Sequence, residues 1–192
     1  MSSAPILAIL RSKMTVFTTA DLALLWGESN PELVKNRLYR YVKSGGLLRL
    51  RRGTYAKDAN FDKYELATKI FSPSYVSFET VLRDAGVVFQ YYGLVTVASY
   101  QTKEIDCSGQ KYSFRKIKDD ILTNPIGIEN KGSCGIASPE RAFLDTVYLQ
   151  KEYHFDNLSA LDWKKVDEIL PIYGGGKTML ARVNRYRAAS KD

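Results

Sequence analysis

Asn36, Tyr39, Arg40 and Lys43 fall together on one side of a helical wheel, flanked by Lys35 and Arg37, with no acid among them. A few residues further on, Arg49, Arg51, Arg52 and Thr54 follow in the segment LRLRRGT. A helix face of cations, one amide and one aromatic suits a groove of duplex DNA. A short arginine-rich hairpin after it has the composition of a loop laid along a phosphate backbone.

The elements that must position these side chains can be read around them. Asn30 to Ser44 (NPELVKNRLYRYVKS) predicts a helix whose core-facing stripe is Val34, Leu38, Tyr41 and Val42, at i, i+4, i+7 and i+8. Its start has two readings, Asn30 as N-cap with Pro31 at N1, or Ser29 with Glu32 as a capping box one residue earlier. Ser44, Gly45 and Gly46 end it. Leu48 and Leu50 then alternate with Arg49 and Arg51, and Arg52-Gly53 makes a two-residue hairpin turn. That register sets Leu50 opposite Tyr55 and turns Arg49, Arg51 and Thr54 outward. Ahead of the basic helix, Thr18 as N-cap with Asp21 at N3 and Phe17 stapled onto Leu22 predict a supporting helix that points Leu22, Leu25 and Trp26 at the core. A first helix from Pro5 to Lys13 completes the outline of a winged helix-turn-helix.

Charge is segregated along the chain. Of 28 Lys and Arg and 21 Asp and Glu, residues 1–57 hold ten cations and three acids, so the whole net charge of +7 lies there and residues 58–192 balance. That asymmetry points to a polyanion partner. A second basic stripe, Lys177, Arg182, Arg185, Arg187 and Lys191, lies near the end, suited to further DNA contact, to an acidic partner or simply to solvent. A merely basic interaction module gripping an acidic protein is the alternative to DNA binding.

Residues 58–72 predict a linking helix, broken at Ser72-Pro73-Ser74. Beyond it a short strand, a helix capped by Ser77 and stopped at Gly86, strands over Leu94–Thr102 and Gln110–Lys118, and a hairpin turn at Ser108-Gly109 are expected. Short strands at Ile126–Ile128 and Gly135–Ala137 and a helix opening at Ser138-Pro139 complete a second, α+β unit with a small, mainly antiparallel sheet. The boundaries are 1–72 and 73–192.

Other chemistries are poorly served. The single histidine, His154, has no serine motif around it, and Cys107 and Cys134 read as free thiols, too few with one histidine for a zinc site. Gly174 to Thr178 (GGGKT) is half a Walker A loop, but Pro171 stands where its first glycine belongs. Asp119 or Asp120 followed by Glu129-Asn130-Lys131 has the order of a metal-dependent endonuclease core and is the enzymatic alternative, although Asn124-Pro125 breaks the chain between them. The expectation is no enzyme, no cofactor and no metal. MSSAPILAILRSK has no basic n-region or cleavage site, and no apolar run reaches membrane-spanning length, so a cytoplasmic protein without membrane contact is expected.

The motifs TTADLALLWG, GGLLRLRRGTYA, YVSFETVLRDAGV, LVTVAS, YSFRKIK and IASPERAFLDTVYL together resemble the AbiEi family of abortive-infection antitoxins from Phe17 to Leu149. The resemblance implies an N-terminal winged helix-turn-helix that represses its own operon, with inverted repeats in its promoter as the target. It also implies a C-terminal antitoxin domain that counters a nucleotidyltransferase toxin in a type IV toxin-antitoxin system of phage resistance. It places DNA contact on Asn36, Tyr39, Arg40, Lys43, Arg49, Arg51 and Arg52, to which the residue pattern adds Lys35 and Thr54, and side-chain chemistry suits Arg40 to guanine and Asn36 to adenine. Antitoxin-domain candidates are Ser138, Glu140, Arg141, Asp145, Lys177, Arg182 and Arg185.

Overall fold

The computed structural model describes residues 4–90, 93–174 and 176–190. The first part of the chain runs α1 (Ala4–Arg11), β1 (Val16–Thr18), α2 (Thr19–Trp26), α3 (Pro31–Lys43), β2 (Leu48–Arg51) and β3 (Thr54–Ala56). Short-range signals set its helix starts. Thr18 Oγ1 accepts from Asp21 N at 3.1 Å and Asp21 Oδ2 accepts from Thr18 N at 2.8 Å, the expected capping box. At α3 the Asn30 side chain accepts from Glu32 N at 3.0 Å, which selects Asn30 over Ser29 as the cap. Ile9, Phe17, Leu22, Val34, Leu38, Leu47 and Tyr55 make a small core, with Tyr41 and Val42 packed against it. Leu25 is a correction, since it is 37% exposed. The inward stripe of α2 follows Leu22 and Trp26, four apart, and Trp26 donates its indole N–H to the Pro5 carbonyl at 3.0 Å.

The hairpin departs from its expected register. Arg51 pairs with Thr54 and Arg49, not Leu50, with Tyr55, so Leu50 is the extra residue of a β-bulge. The short strand VFT, unmarked in the sequence, pairs on the other side of β3 with Thr18 opposite Thr54. Thr54 is therefore buried rather than outward.

The chain continues through α4 (Lys63–Ile70), β4 (Ser74–Val76), α5 (Glu79–Asp84), β5 (Leu94–Ser99), β6 (Lys103–Cys107), β7 (Gln110–Lys116), α6 (Asp119–Leu122), β8 (Ile128–Lys131), β9 (Cys134–Ala137), α7 (Pro139–Leu149), α8 (Trp163–Ile169) and α9 (Lys177–Ala189). A cis Ser72–Pro73 peptide precedes β4. Six strands form one sheet in the order β6-β7-β5-β4-β9-β8. Three of its pairings are antiparallel, but β5–β7 and β4–β9 are parallel, so the sheet is more mixed than expected. Ser108 and Gly109 turn the β6–β7 hairpin, both at positive φ, as a tight two-residue hairpin turn requires.

Two expectations shift. Ser77 does not cap α5, because its hydroxyl donates to Asp145 Oδ2 at 2.7 Å and Phe78, at φ 57°, stands at the cap. The strand expected at Ile126 begins at Ile128, because Gly127 turns the chain at φ 73°, where a Cβ would sit 2.9 Å from Ile169 Cδ1.

The strand alternation sorts the layers. Tyr75 and Thr96 point to one face, reaching Asp145 on α7 and Thr80 on α5. α8 and α9 pack on α7 on that same side. Phe114 and Cys107 belong to the opposite face, where Phe114 meets Phe71 just after α4 with ring centroids 4.7 Å apart. The Cys107 thiol approaches the Leu50 carbonyl there at 3.6 Å. The three-stranded sheet and the helices on it thus lean on one face of the larger sheet, and Val16 of β1 belongs to the larger core. No helix among the described residues is long and apolar enough to cross a membrane.

Candidate functional site

α3 presents the cationic face that the wheel predicts. Lys35, Asn36, Tyr39, Arg40 and Lys43 are all solvent-accessible, Tyr39 at 66%, and Lys43 Nζ stands 5.9 Å from the Tyr39 ring centre. Arg40 donates its Nε–H to the Asn36 carbonyl at 3.3 Å, and the residue is exposed. Arg37 is half-buried and engaged within the protein, over the Trp26 ring at 5.0 Å and 3.8 Å from Glu28. The acid nearest the face, Glu32, holds Lys35 at 2.7 Å, but both are well exposed, and such a pair is worth little against a polyanion. On the hairpin Arg49 and Arg52 are exposed. Arg51 is half-buried and its Nη1 has no hydrogen-bond partner among the described residues.

The candidates at the start of α7 lie elsewhere, and of them Glu140, Arg141 and Asp145 are buried while Ser138 is partly exposed. Ser138 caps α7, accepting from Arg141 N at 3.2 Å. Glu140 is buried and accepts from Asp162 N at 3.3 Å. Arg141 and Asp145 are 0% exposed and 3.3 Å apart. Arg141 also donates to the carbonyls of Ile121 and Ile126 at 2.6 and 2.7 Å, while Tyr75, Ser77 and Tyr173 all donate to Asp145. Burial pushes the Asp145 carboxyl up, against the pull of Arg141 and the three hydroxyls. This is a satisfied internal network that stitches α7 to β4 and to the turn before α9. Glu140, Arg141 and Asp145, candidates for the antitoxin domain, are thus internal residues, and the charge of Asp145 is met by Arg141 one turn away. Apart from the Arg141–Asp145 pair, four apart on one helix, their partners lie 15 to 70 residues away in sequence, beyond the reach of a local pattern.

The basic residues of α9 are partly consumed as well. Arg182 donates to the Val147 carbonyl at 3.0 Å, satisfying the end of α7, and Arg185 donates to the Lys151 carbonyl at 3.1 Å. Arg187 pairs with Asp167 and covers Trp163. Lys177 remains exposed, while Lys191 and Gly175 lie outside the described residues. Gly174 closes the preceding turn at φ 87° and Gly176 opens α9, so the described part of the GGGKT segment is a turn and a helix start.

Asp119 and Asp120 open the short α6, and Glu129 and Lys131 lie exposed on β8 at a sheet edge. No group of three or more His, Cys, Asp or Glu placed to hold a metal ion occurs among the described residues. Cys107 and Cys134 are buried free thiols, and burial pushes Cys134 up to about 11.

One buried acid carries no mark in the sequence. Glu65 on α4 is 4% exposed, and its carboxylate is held by hydrogen-bond donors. It accepts from Thr15 N at 2.6 Å, Thr15 Oγ1 at 2.5 Å, Val16 N at 3.0 Å and Ser133 Oγ at 2.6 Å. Burial acts to raise its carboxyl, and these donors outweigh it and hold it below the ordinary value. It ties β1 to the β8–β9 turn.

The fold defined by these elements is a mixed α+β chain with one sheet of three strands and one of six. No protein-family model matches the sequence, and no curated protein matches it. Among solved structures, the chain is similar to the crystal structure of the RV2827C protein from Mycobacterium tuberculosis, with a TM-score of 0.50 and 11% identity over 92% of this chain and 72% of that one. At that identity the likeness is one of fold.

Proposed function

We propose that the chain is a DNA-binding regulator whose first part is a winged helix-turn-helix, with α3 as recognition helix and the β2–β3 hairpin as wing. The observation that carries the reading is the exposed, acid-poor face of Lys35, Asn36, Tyr39, Arg40 and Lys43, next to exposed Arg49 and Arg52, in the segment that holds the whole net charge. Such a face neutralises phosphates and releases counterions, while Arg40 and Asn36 can meet base edges. The motif resemblance to the AbiEi antitoxins extends the proposal to a cytoplasmic, non-enzymatic antitoxin. It represses its own operon at inverted repeats and counters a nucleotidyltransferase toxin.

The test is fluorescence anisotropy on the duplex upstream of its gene, against a shuffled duplex, at two salt concentrations. Selective, salt-sensitive binding is expected. Arg40→Ala should cost about 1–3 kcal/mol at one operator position, whereas Arg49→Ala should weaken all duplexes alike and flatten the salt slope. Equal or absent binding to the two duplexes would sink the regulator reading. With binding in hand, rescue of growth on co-expression with the neighbouring toxin tests the antitoxin role.

A further inference from the structure

The wing does not project freely, because it rests on the six-stranded sheet. Leu50, the bulged residue, turns from the small core and packs against the large one. Its carbonyl receives the thiol of Cys107 at 3.6 Å, a long and weak contact even for sulfur. The seam around it is poorly satisfied. Arg51 Nη1 and, on β7 facing the same side, Tyr112 Oη are buried with no hydrogen-bond partner among the described residues. A buried N–H of a guanidinium left unpaired costs free energy that a seam built purely as a support would not carry.

Resting on the DNA-binding reading above, we propose that the wing is held in a docked, autoinhibited position by the β6–β7 hairpin. In the unaltered chain most DNA-bound molecules keep the wing docked, and only a wing released from the sheet lets Arg51 exchange its unsatisfied burial for a phosphate. The cationic tip, Arg49 and Arg52, is already exposed and makes first contact. Arg51 is the reserve cation, engaged only when Leu50 leaves the sheet. The sheet therefore acts as a brake on affinity, set by how firmly Leu50 and Cys107 hold the bulge.

The test uses the full chain and a labelled mixed-sequence duplex, since wing contacts with phosphates are independent of sequence. Cys107→Ala removes the thiol contact with little loss of volume, and Leu50→Ala removes the apolar anchor. Each is checked for native-like thermal unfolding, and either alone suffices. A released wing binds several-fold tighter, and the slope of log affinity against log salt steepens by about 0.9, the value of one added phosphate contact. Adding Arg51→Ala cancels that gain. In the unaltered chain Arg51→Ala lowers the slope less than Arg49→Ala does, a comparison that needs no change in the seam.

If the unaltered chain shows no salt-dependent binding to duplex DNA, the DNA-binding reading fails and this inference with it. If it binds, but neither folded Cys107→Ala nor folded Leu50→Ala is tighter, the docked wing is itself the binding form and this inference alone is overturned. It is overturned in the same way if Arg51→Ala flattens the slope as much as Arg49→Ala.

Discussion

Two buried acids show how differently a carboxylate can be kept inside this protein. Asp145 has a cation, Arg141, and removing one member strands the other. Arg141→Met should therefore cost about 3–5 kcal/mol in urea unfolding, and changing both members together to apolar residues should cost much less. Glu65 is held by four donors, so its charge is stabilised by hydrogen bonds. Its folded-state value lies below its unfolded one. The stability it contributes is thus fully present above about pH 4.3, the ordinary glutamate value, and is lost as pH falls through the depressed folded value. Glu65→Gln should lower stability by about 1–3 kcal/mol at neutral pH, with the deficit shrinking in acid. An equal deficit at both pH values in thermal melts would refute that role. Neither acid's role is legible in the sequence. Glu65 falls in a segment that reads only as a linking helix, and SPERAFLD reads as a helix start, because most of the partners come from segments remote in sequence.

At the scale of elements, whatever local chemistry decides is legible. Thr18 with Asp21, Asn30 with Pro31 and Ser138 with Pro139 each mark a helix start that the backbone obeys, since a cap answers only to donors within three residues. Asn30→Ala should cost about 1 kcal/mol in stability, measured by thermal unfolding, and shorten α3 at the end that carries Lys35 and Asn36. Strand register is less legible. A perfect alternation in LRLR gives no sign that Leu50 is bulged, because the bulge answers to a surface built by Cys107, 57 residues later. The three residues VFT are invisible as a strand because Thr18 also caps α2, and without that strand Thr54 reads as an outward residue. Parallel pairing of β5 with β7 and of β4 with β9 leaves no local mark either, since both depend on crossovers.

At the scale of the molecule, the boundary near residue 72 divides the sequence without dividing the packing. Val16 and Leu50 belong with the larger core, and Glu65 joins β1 to the β8–β9 turn. Residues 1–72 expressed alone should therefore lack a cooperative thermal transition, while the full chain unfolds in one step; a sharp transition in the fragment would refute this. The two margins of the large sheet have a consequence of their own. β6 and β8 are its outermost strands, and they carry Lys103, Glu104 and Asp106, and Glu129, Asn130 and Lys131, all exposed. An open backbone ladder invites a foreign strand, and charged side chains along it make such recruitment costly. The Glu-Asn-Lys segment, whose spacing suggests metal chemistry, thereby guards the chain against self-templating. Replacing Glu129 and Lys131 by valine should leave the fold intact in circular dichroism, yet produce growing light scattering as the chain is concentrated.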